Sequence, residues 1–353
     1  MATKHDLIII GSGQAGLAAA YDAHTQGLDY LALEAHDNIG DSWRERYDSL
    51  TLFTPRKYSN LAGMDMPGEE WDYPTKDEVA DYLQQYADHF DLKVALGQHV
   101  TRLAHDGENF VITTSKEEFT AQNVVAATGP FQTPRIPEWS KQLDQNVKQL
   151  HSSQYHNPDD IDGESVLVVG GGNSGAQIVA ELAADHKASL SVAEKPIVIP
   201  AQLLGKSLFW WLDKVGALSA PADSLRTKLF GLQKGIPVIG TDLQGLLKQG
   251  KLDMLPRAVG AEGQEVLFED GSRQAFDTVI WSTGFTQDYS WLQVPNALDD
   301  HGKPAHHDGI SSTVDNLYYL GQTWQRTINS ALLGGVKYDA RFIVSAIQKH
   351  KKS

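Results

Sequence analysis

The chain contains no cysteine. That one absence excludes disulfides, thiolate nucleophiles, cysteine-ligated iron–sulfur clusters and cysteine zinc sites. It is compatible with the cytoplasm, the expected localisation. Positive charge is also short: 30 Lys and Arg stand against 45 Asp and Glu, a formal net charge of −15. Contact with a phosphate backbone or an anionic lipid surface needs clustered cations, so neither nucleic acid nor membrane is an expected partner. Residues 1–160 carry most of the imbalance, with 12 basic against 25 acidic side chains, and read as a solvated acidic face. Long apolar runs are missing too. The run after Met1 covers only Leu7 to Ile10 before glycines begin, so no signal peptide is expected. No stretch approaches the ~18–20 apolar residues of a membrane helix. No Gly-x-Ser-x-Gly elbow accompanies a His/Asp pair, which removes the hydrolase reading. His306-His307-Asp308 has no matching His/Glu pair at helical spacing, and no metal site is assigned.

What is present is 353 residues, 41% apolar and 21% charged, an ordinary globular composition. At roughly 100–200 residues per domain this length predicts two or three domains. One module occurs twice. Asp6 to Ile10 is a continuous apolar run, as in a parallel strand buried on both faces. Gly11-Ser12-Gly13-Gln14-Ala15-Gly16 follows, then an Ala- and Leu-rich helix from Leu17 to Gln26, closed by Gly27. Tyr30 to Leu33 is the next strand and Glu34 ends it. The second copy runs Ser165 to Val169, Gly170-Gly171-Gly172-Asn173-Ser174-Gly175, a helix from Ala176 to Asp185, and a strand from Ser189 to Ala193 ending at Glu194. An antiparallel meander is expected after each copy, over Val94–Ala127 and Leu252–Ser282. Each meander ends in Thr-Gly, at Thr128-Gly129 and Thr283-Gly284. An aromatic, proline-rich excursion separates Asn38 from Phe90, and an insertion with Phe209-Trp210-Trp211 spans Gln202 to Gly250. The segment Ser330 to Lys349 reads as a final helix, capped by Asn329 or Ser330.

Glycine loops of this kind suit a dinucleotide. The first glycine permits the tight turn, the second admits the pyrophosphate to the backbone, and the third lets helix and strand pack closely. The helix N-terminus supplies counter-charge, and the acid closing the second strand bonds ribose hydroxyls. A lone copy is weak evidence, but here both copies follow a buried strand and precede a helix and an acid. Two such sites imply an electron relay: FAD in the first, NADPH or NADH in the second. Glu194 favours the 2′-OH of NAD, with Lys195 able to offset its repulsion of a 2′-phosphate, so NADH or dual use is expected. The N-terminus of the final helix is the candidate stabiliser of negative charge on reduced flavin. Phe209-Trp210-Trp211 is expected to pack between domains, and Trp43 to line the flavin pocket.

These motifs together resemble the class B flavin-dependent monooxygenases. The likeness is greatest to the small bacterial flavin-containing monooxygenases and their plant indole-pyruvate relatives, and it runs essentially the full length. It rests on the two glycine loops, Asn38-Ile39-Gly40-Asp41-Ser42-Trp43, Thr54-Pro55-Arg56-Lys57-Tyr58-Ser59, Ala127 to Pro130, Trp281 to Phe285 and Gly321 to Leu333. The family string Phe-x-Gly-x-x-x-His-x-x-x-Tyr is matched in part: His151 and Tyr155 are present, but Gln145 and Val147 replace Phe and Gly. Pro55 stands where mammalian-type members carry asparagine and plant-like members proline.

The resemblance implies an α/β fold of two doubly wound dinucleotide domains. The NAD(P) domain, 157–286, is inserted in an FAD domain of 1–156 and 287–353. It implies that NAD(P)H reduces FAD, that O₂ forms a C4a-(hydro)peroxyflavin, and that a sulfide, amine or related small molecule takes the oxygen. The alternative is an NAD(P)H-dependent flavin oxidoreductase or oxidase passing electrons to quinone, a redox protein or O₂. Candidate catalytic residues are Thr54, His151, Tyr155 and Asn329. Candidate cofactor contacts are Gly11, Ser12, Gly13, Gln14, Ala15, Gly16, Glu34, Ala35, Ser42, Trp43, Val100, Thr128, Gly129, Gly170, Gly172, Asn173, Ser174, Gly175, Glu194, Lys195, Thr283, Gly284, Gln322 and Ser330. Expected partners are a small-molecule substrate and O₂, with a homodimer as the candidate assembly.

Overall fold

The apolar run of the first module forms the strand Thr3–Ile10, in which Leu7 to Ile10 are buried on both faces. A strand with no solvent face must be central. It pairs in parallel with Tyr30–Leu33 on one side and Glu118–Ala126 on the other. The computed structural model describes residues 3–222, 224 and 237–352. Part of the expected 202–250 insertion therefore lies outside the described residues. The first sheet has nine strands. Its main path runs His306–His307, Ile310–Ser311, Leu317–Tyr319, Glu118–Ala126, Thr3–Ile10, Tyr30–Leu33, Val94–Ala95. The antiparallel hairpin Val100–His105/Phe110–Thr114 continues from Glu118–Ala126. Val94–Ala95, expected to open that meander, lies instead at the sheet edge, parallel to Tyr30–Leu33.

The second module builds a five-stranded parallel sheet in the order Leu252–Leu255, Lys187–Ser191, Ser165–Val169, Thr278–Trp281, Lys148–His151. The expected meander from Leu252 to Ser282 is antiparallel only in its middle, over Ala258–Glu262, Glu265–Phe268 and Arg273–Ala275. Its last strand, Thr278–Trp281, is buried at every residue, so it takes a central parallel place rather than a half-exposed one. Together the two sheets and their helices make the expected α/β architecture.

The chain enters the second sheet earlier than residue 157, because Lys148–His151 already pairs there. Its two passages between sheets lie side by side as an antiparallel ribbon, Thr133–Pro134 against Phe285–Thr286. The Arg135 amide donates to the Gly284 carbonyl at 2.9 Å.

Both glycine helices start three residues before the expected points, at Gln14 and Asn173. The second glycine is the N-cap in each, so the third glycine already lies in the first helical turn. The final helix behaves oppositely and begins at Val336. The Ser330 hydroxyl accepts the Arg326 and Thr327 amides, each at 3.0 Å, and so holds a turn. Gly335 then sits so close to Asn329 that a Cβ would stand 2.1 Å from the Asn329 carbonyl oxygen. Neither Asn329 nor Ser330 caps the helix. The helix lies on Gln14–Thr25, whose fully buried alanines 18, 19, 20 and 23 permit the close approach.

Candidate functional site

The two glycine loops are built alike. Gly11 (φ +98°) and Gly170 (φ +115°) need the left-handed region. Each is walled by the strand that ends in Thr-Gly. A Cβ on Gly11 would lie 2.6 Å from the Ala127 oxygen, and one on Gly170 2.3 Å from the Ser282 oxygen. The third glycines are equally confined: a Cβ on Gly16 would meet the Gly11 oxygen at 1.9 Å, and one on Gly175 the Gly170 oxygen at 2.0 Å. The second glycines differ. Around Gly13 and Gly172 a Cβ would meet no protein atom within 4 Å. Each begins a helix with no side-chain cap, leaving its first N–H groups facing that open space. This is what a pyrophosphate requires of a loop. Gln14 and Ala15 form the first turn of the first helix, with Ala15 buried against Gly321.

Glu34 lies at the end of the second strand. One carboxylate oxygen accepts from the Ser12 amide (2.9 Å) and hydroxyl (2.7 Å), the other from the His36 amide (3.1 Å) and ring (2.8 Å). Burial works to raise the Glu34 pKa, but the bonds from His36 and Ser12 outweigh it and hold the group ionised. His36 moves the other way. Burial opposes its protonation, yet its bond to Glu34 and the charges of Glu34, Glu45 and Asp41 raise its pKa. Ala35 is exposed between them.

The second copy lacks this acid. Gly11 donates to the Leu33 carbonyl and Gly170 to the Ser191 carbonyl, so Ser191 is the register counterpart of Leu33. Glu34 therefore corresponds to Val192, and Glu194 lies two residues further on. Counting from the first glycine hid this shift. Glu194 and Lys195 are exposed beyond the strand, and Val192 packs over Gly171. Glu194 thus stands outside the strand-end position on which the expected ribose contact and NADH preference rest. Asn173 turns away from the loop: its amide donates to the Pro237 carbonyl (3.0 Å) and its oxygen accepts the Ile239 amide (2.9 Å). Ser174 is exposed at the helix start.

His151 stands at the ribbon, fully buried. Its Nδ1 accepts from the Ser153 amide, which leaves Nε2–H to donate to the Gly284 carbonyl at 3.0 Å. Burial lowers its pKa and outweighs the Gly284 bond, which favours the charged form; the Arg46 charge adds to the lowering, so the ring is neutral. The Tyr155 amide donates to the His151 carbonyl at 3.2 Å, but its side chain lies apart. Its hydroxyl donates to Glu181 (2.8 Å) inside the core of the second sheet, with no exposed atom surface. Thr54 is buried, its hydroxyl 2.8 Å from that of Ser59. Gln132 holds the first Thr-Gly turn, donating to the Thr128 hydroxyl and the Gly129 carbonyl. Thr283 donates to the Arg135 carbonyl. Gln322 donates to the Tyr289 hydroxyl (3.0 Å) and accepts from Gln287 (2.8 Å). Trp43 and Val100 are half-buried against separate cores of the first unit, and Ser42 is exposed.

The insertion closes over the seam between the units. Phe209 is buried and packs with Phe53, Tyr58, Ile328 and Leu332, as expected for inter-domain packing, while Trp210 and Trp211 remain half-buried. Sequence reasoning passed over Arg46, which faces Phe131 and Phe285. Both rings follow a Thr-Gly turn, Phe131 two residues after Gly129 and Phe285 directly after Gly284, and an aromatic ring just past each turn is the available signal. A cavity of about 450 Å³ at Asn60, Met64, Asp65, Lys337 and Tyr338 includes none of these residues. Among the described residues no helix is long and apolar enough to cross a membrane.

Residues 8–198 match the family described as pyridine nucleotide-disulphide oxidoreductase. The "Uncharacterized oxidoreductase CzcO-like" of Geobacillus kaustophilus is 44% identical, over 98% of this chain and 99% of that protein. A probable indole-3-pyruvate monooxygenase of Arabidopsis thaliana, YUCCA9, is 30% identical over 84% of this chain and 79% of its own. The solved flavin-containing monooxygenase from Stenotrophomonas maltophilia superposes with a TM-score of 0.84 at 27% identity, covering 99% of both chains. Lacking any cysteine, this chain cannot perform the disulfide chemistry in the family's title. The chain belongs to the pyridine nucleotide-disulphide oxidoreductase family and is an FAD-dependent, flavin monooxygenase-like oxidoreductase.

Proposed function

We propose that the chain is an NAD(P)H-consuming monooxygenase that delivers oxygen to a soft nucleophile such as a sulfide or an amine. The observation that carries this is the pair of open second glycines, Gly13 and Gly172, each backed by a Thr-Gly turn, in a chain with no thiol. Two dinucleotides fit, and electrons cannot leave through a disulfide. The flavin monooxygenase title of the Stenotrophomonas structure and the monooxygenase titles of the plant relatives support the same reading.

In this reading the units divide at the ribbon. The loop Gly11–Gly16 and Glu34, held ionised by Ser12 and His36, would hold FAD. The loop Gly170–Gly175 would hold the nicotinamide dinucleotide. Bound FAD supplies acceptance of hydride and activation of O₂. The protein's part is to orient and to keep water out. The helix N-termini fix the pyrophosphates, neutral His151 holds the Gly284 turn, and the Phe209 cluster covers the seam. The partial family string supports a second reading, an oxidase or flavin reductase, because Val147 is buried in the second-sheet core instead of providing a glycine turn.

Purified yellow protein given NADPH, isotopically labelled O₂ and methyl phenyl sulfide tests the choice. Labelled sulfoxide is the expected product. Peroxide equal to the NADPH consumed, with no labelled product from sulfides or amines, establishes the oxidase instead.

A further inference from the structure

Arg46 follows the helical turn Asp41–Arg44 and is half-buried. Its Nε donates to the Ser42 carbonyl at 3.2 Å. Its guanidinium carbon lies 5.1 Å from the centre of the Phe285 ring and 5.8 Å from that of Phe131. The two rings meet edge to face at 5.5 Å, and His151 meets the same Phe285 edge to face at 4.8 Å. Phe131 follows the Thr-Gly turn that walls Gly11, and Phe285 follows the turn that walls Gly170. A cation from the first unit is thus set where both glycine cradles and the connecting ribbon converge.

No carboxylate pairs with it directly; the Glu45 charge acts on it only from beyond pairing distance. Among the described residues, no Asp or Glu oxygen lies within 4.0 Å of the Arg46 nitrogens, although the neighbouring Arg44 pairs with both Asp41 and Asp81. Glu45, next in the chain, turns to His36. The ring faces offset part of the desolvation but accept no hydrogen bond in the guanidinium plane. Of its five N–H donors, only the Nε–H has an acceptor among the described residues. Half-burying a cation is costly unless an anion completes it.

We propose that Arg46 is the oxyanion anchor of the seam, its free N–H fork taking a phosphate of the nicotinamide dinucleotide or the carboxylate of an anionic organic substrate. Planar bidentate recognition of such an oxyanion is what a guanidinium offers and an ammonium does not. The inference rests on the two-dinucleotide reading but not on oxygen transfer.

The test is calorimetric titration of the FAD-loaded protein with NADP⁺, with benzoate and with its neutral isostere benzamide, in wild type, Arg46→Met and Arg46→Lys. Arg46→Met keeps an apolar stem, and Arg46→Lys keeps the charge without the fork. Loss of about tenfold or more in NADP⁺ affinity, with benzoate unchanged, identifies the phosphate. A similar loss for benzoate alone, with benzamide unaffected, identifies a substrate carboxylate. In either case Arg46→Lys falls between. FAD content and thermal melting establish that each variant is folded, and if Arg46→Met is not, Arg46→Lys carries the comparison. NADP⁺ affinity within about twofold of wild type, together with benzoate that is unaffected or does not bind even wild type, overturns the proposal and leaves Arg46 a structural staple. Failure of the monooxygenase reading would appear separately, as peroxide without labelled product from wild type, and would leave these affinities unchanged.

Discussion

His151 and Gly284 are 133 residues apart in sequence and joined by a 3.0 Å hydrogen bond from the imidazole Nε2 to the carbonyl oxygen. The bond ties the end of strand Lys148–His151 to the returning chain just where the ribbon begins. The same ring accepts the Ser153 amide at Nδ1, a bond that requires the neutral form, and burial depresses the His151 pKa below its ordinary value of 6.5 although the Gly284 bond opposes the shift. A depressed histidine stabilises fully above its unfolded pKa and loses that contribution as pH falls through 6.5 toward the folded value. Wild type should therefore lose more thermal stability than His151→Gln on acidification below pH 6.5, measured by melting the two proteins side by side.

Tyr155→Phe separates catalysis from packing. Among the described residues the Tyr155 hydroxyl reaches only Glu181, which also accepts from Ser49 at 2.9 Å. The variant should lose about 1 kcal/mol of stability while NAD(P)H turnover stays within about twofold of wild type. A large fall in turnover with unchanged stability would return Tyr155 to the active site.

The glycines of one loop should respond oppositely. Gly175→Ala places a methyl 2.0 Å from the Gly170 oxygen, within a buried helix–strand contact, and should cost roughly 1–3 kcal/mol or prevent folding. Gly172→Ala meets no protein atom within 4 Å. Its stability should stay within about 0.5 kcal/mol of wild type, while KM for the nicotinamide cofactor rises about tenfold. Denaturant melts and steady-state kinetics give both readings.

Cofactor choice tests the strand register. Because Val192 occupies the place that Glu34 holds in the first unit, Glu194→Gln should change the NADPH/NADH ratio of kcat/KM by no more than about twofold. Val192→Asp should shift that ratio toward NADH by about tenfold, through repulsion of the 2′-phosphate. The reverse ranking would place Glu194 at the ribose.

Glu34 and His36 make opposite contributions with pH. The lowered Glu34 pKa gives stability that is present above the ordinary value of 4.5 and lost as pH falls through the folded value. The raised His36 pKa gives stability that is present below 6.5 and lost as pH rises through the folded value. The melting difference between wild type and Glu34→Gln, with FAD removed from both, should be largest between pH 4.5 and 6.5. FAD retention should also fall in the variant.

Much of the first unit is legible because its signals are local. Ile8 to Ile10 leave a strand no solvent face, and Gly16 and Gly175 each answer a steric demand made five residues earlier, by the carbonyls of Gly11 and Gly170. Gly11 and Gly170 are themselves confined by the distant Ala127 and Ser282 carbonyls, and Gly13 and Gly172 face open space. What is not legible is relational. Counting across a helix puts Glu194 at the strand end, whereas the pairing of Ser191 with Val169 puts Val192 there. The final helix starts late because Gly334 and Gly335 are pressed against Tyr58 and Asn329, which local propensity does not register.

The sequence by itself determined that this is a two-dinucleotide α/β chain incapable of thiol chemistry, because glycine spacing, apolar runs and the lack of cysteine need no distant partner to be read. Only the tertiary structure decided that Val192 rather than Glu194 directly follows the strand Lys187–Ser191, that Tyr155 belongs to a core, and that Arg46 stands between Phe131 and Phe285 without a paired carboxylate among the described residues. Those facts depend on contacts between segments tens to hundreds of residues apart, and such contacts leave no periodicity or spacing in the chain itself.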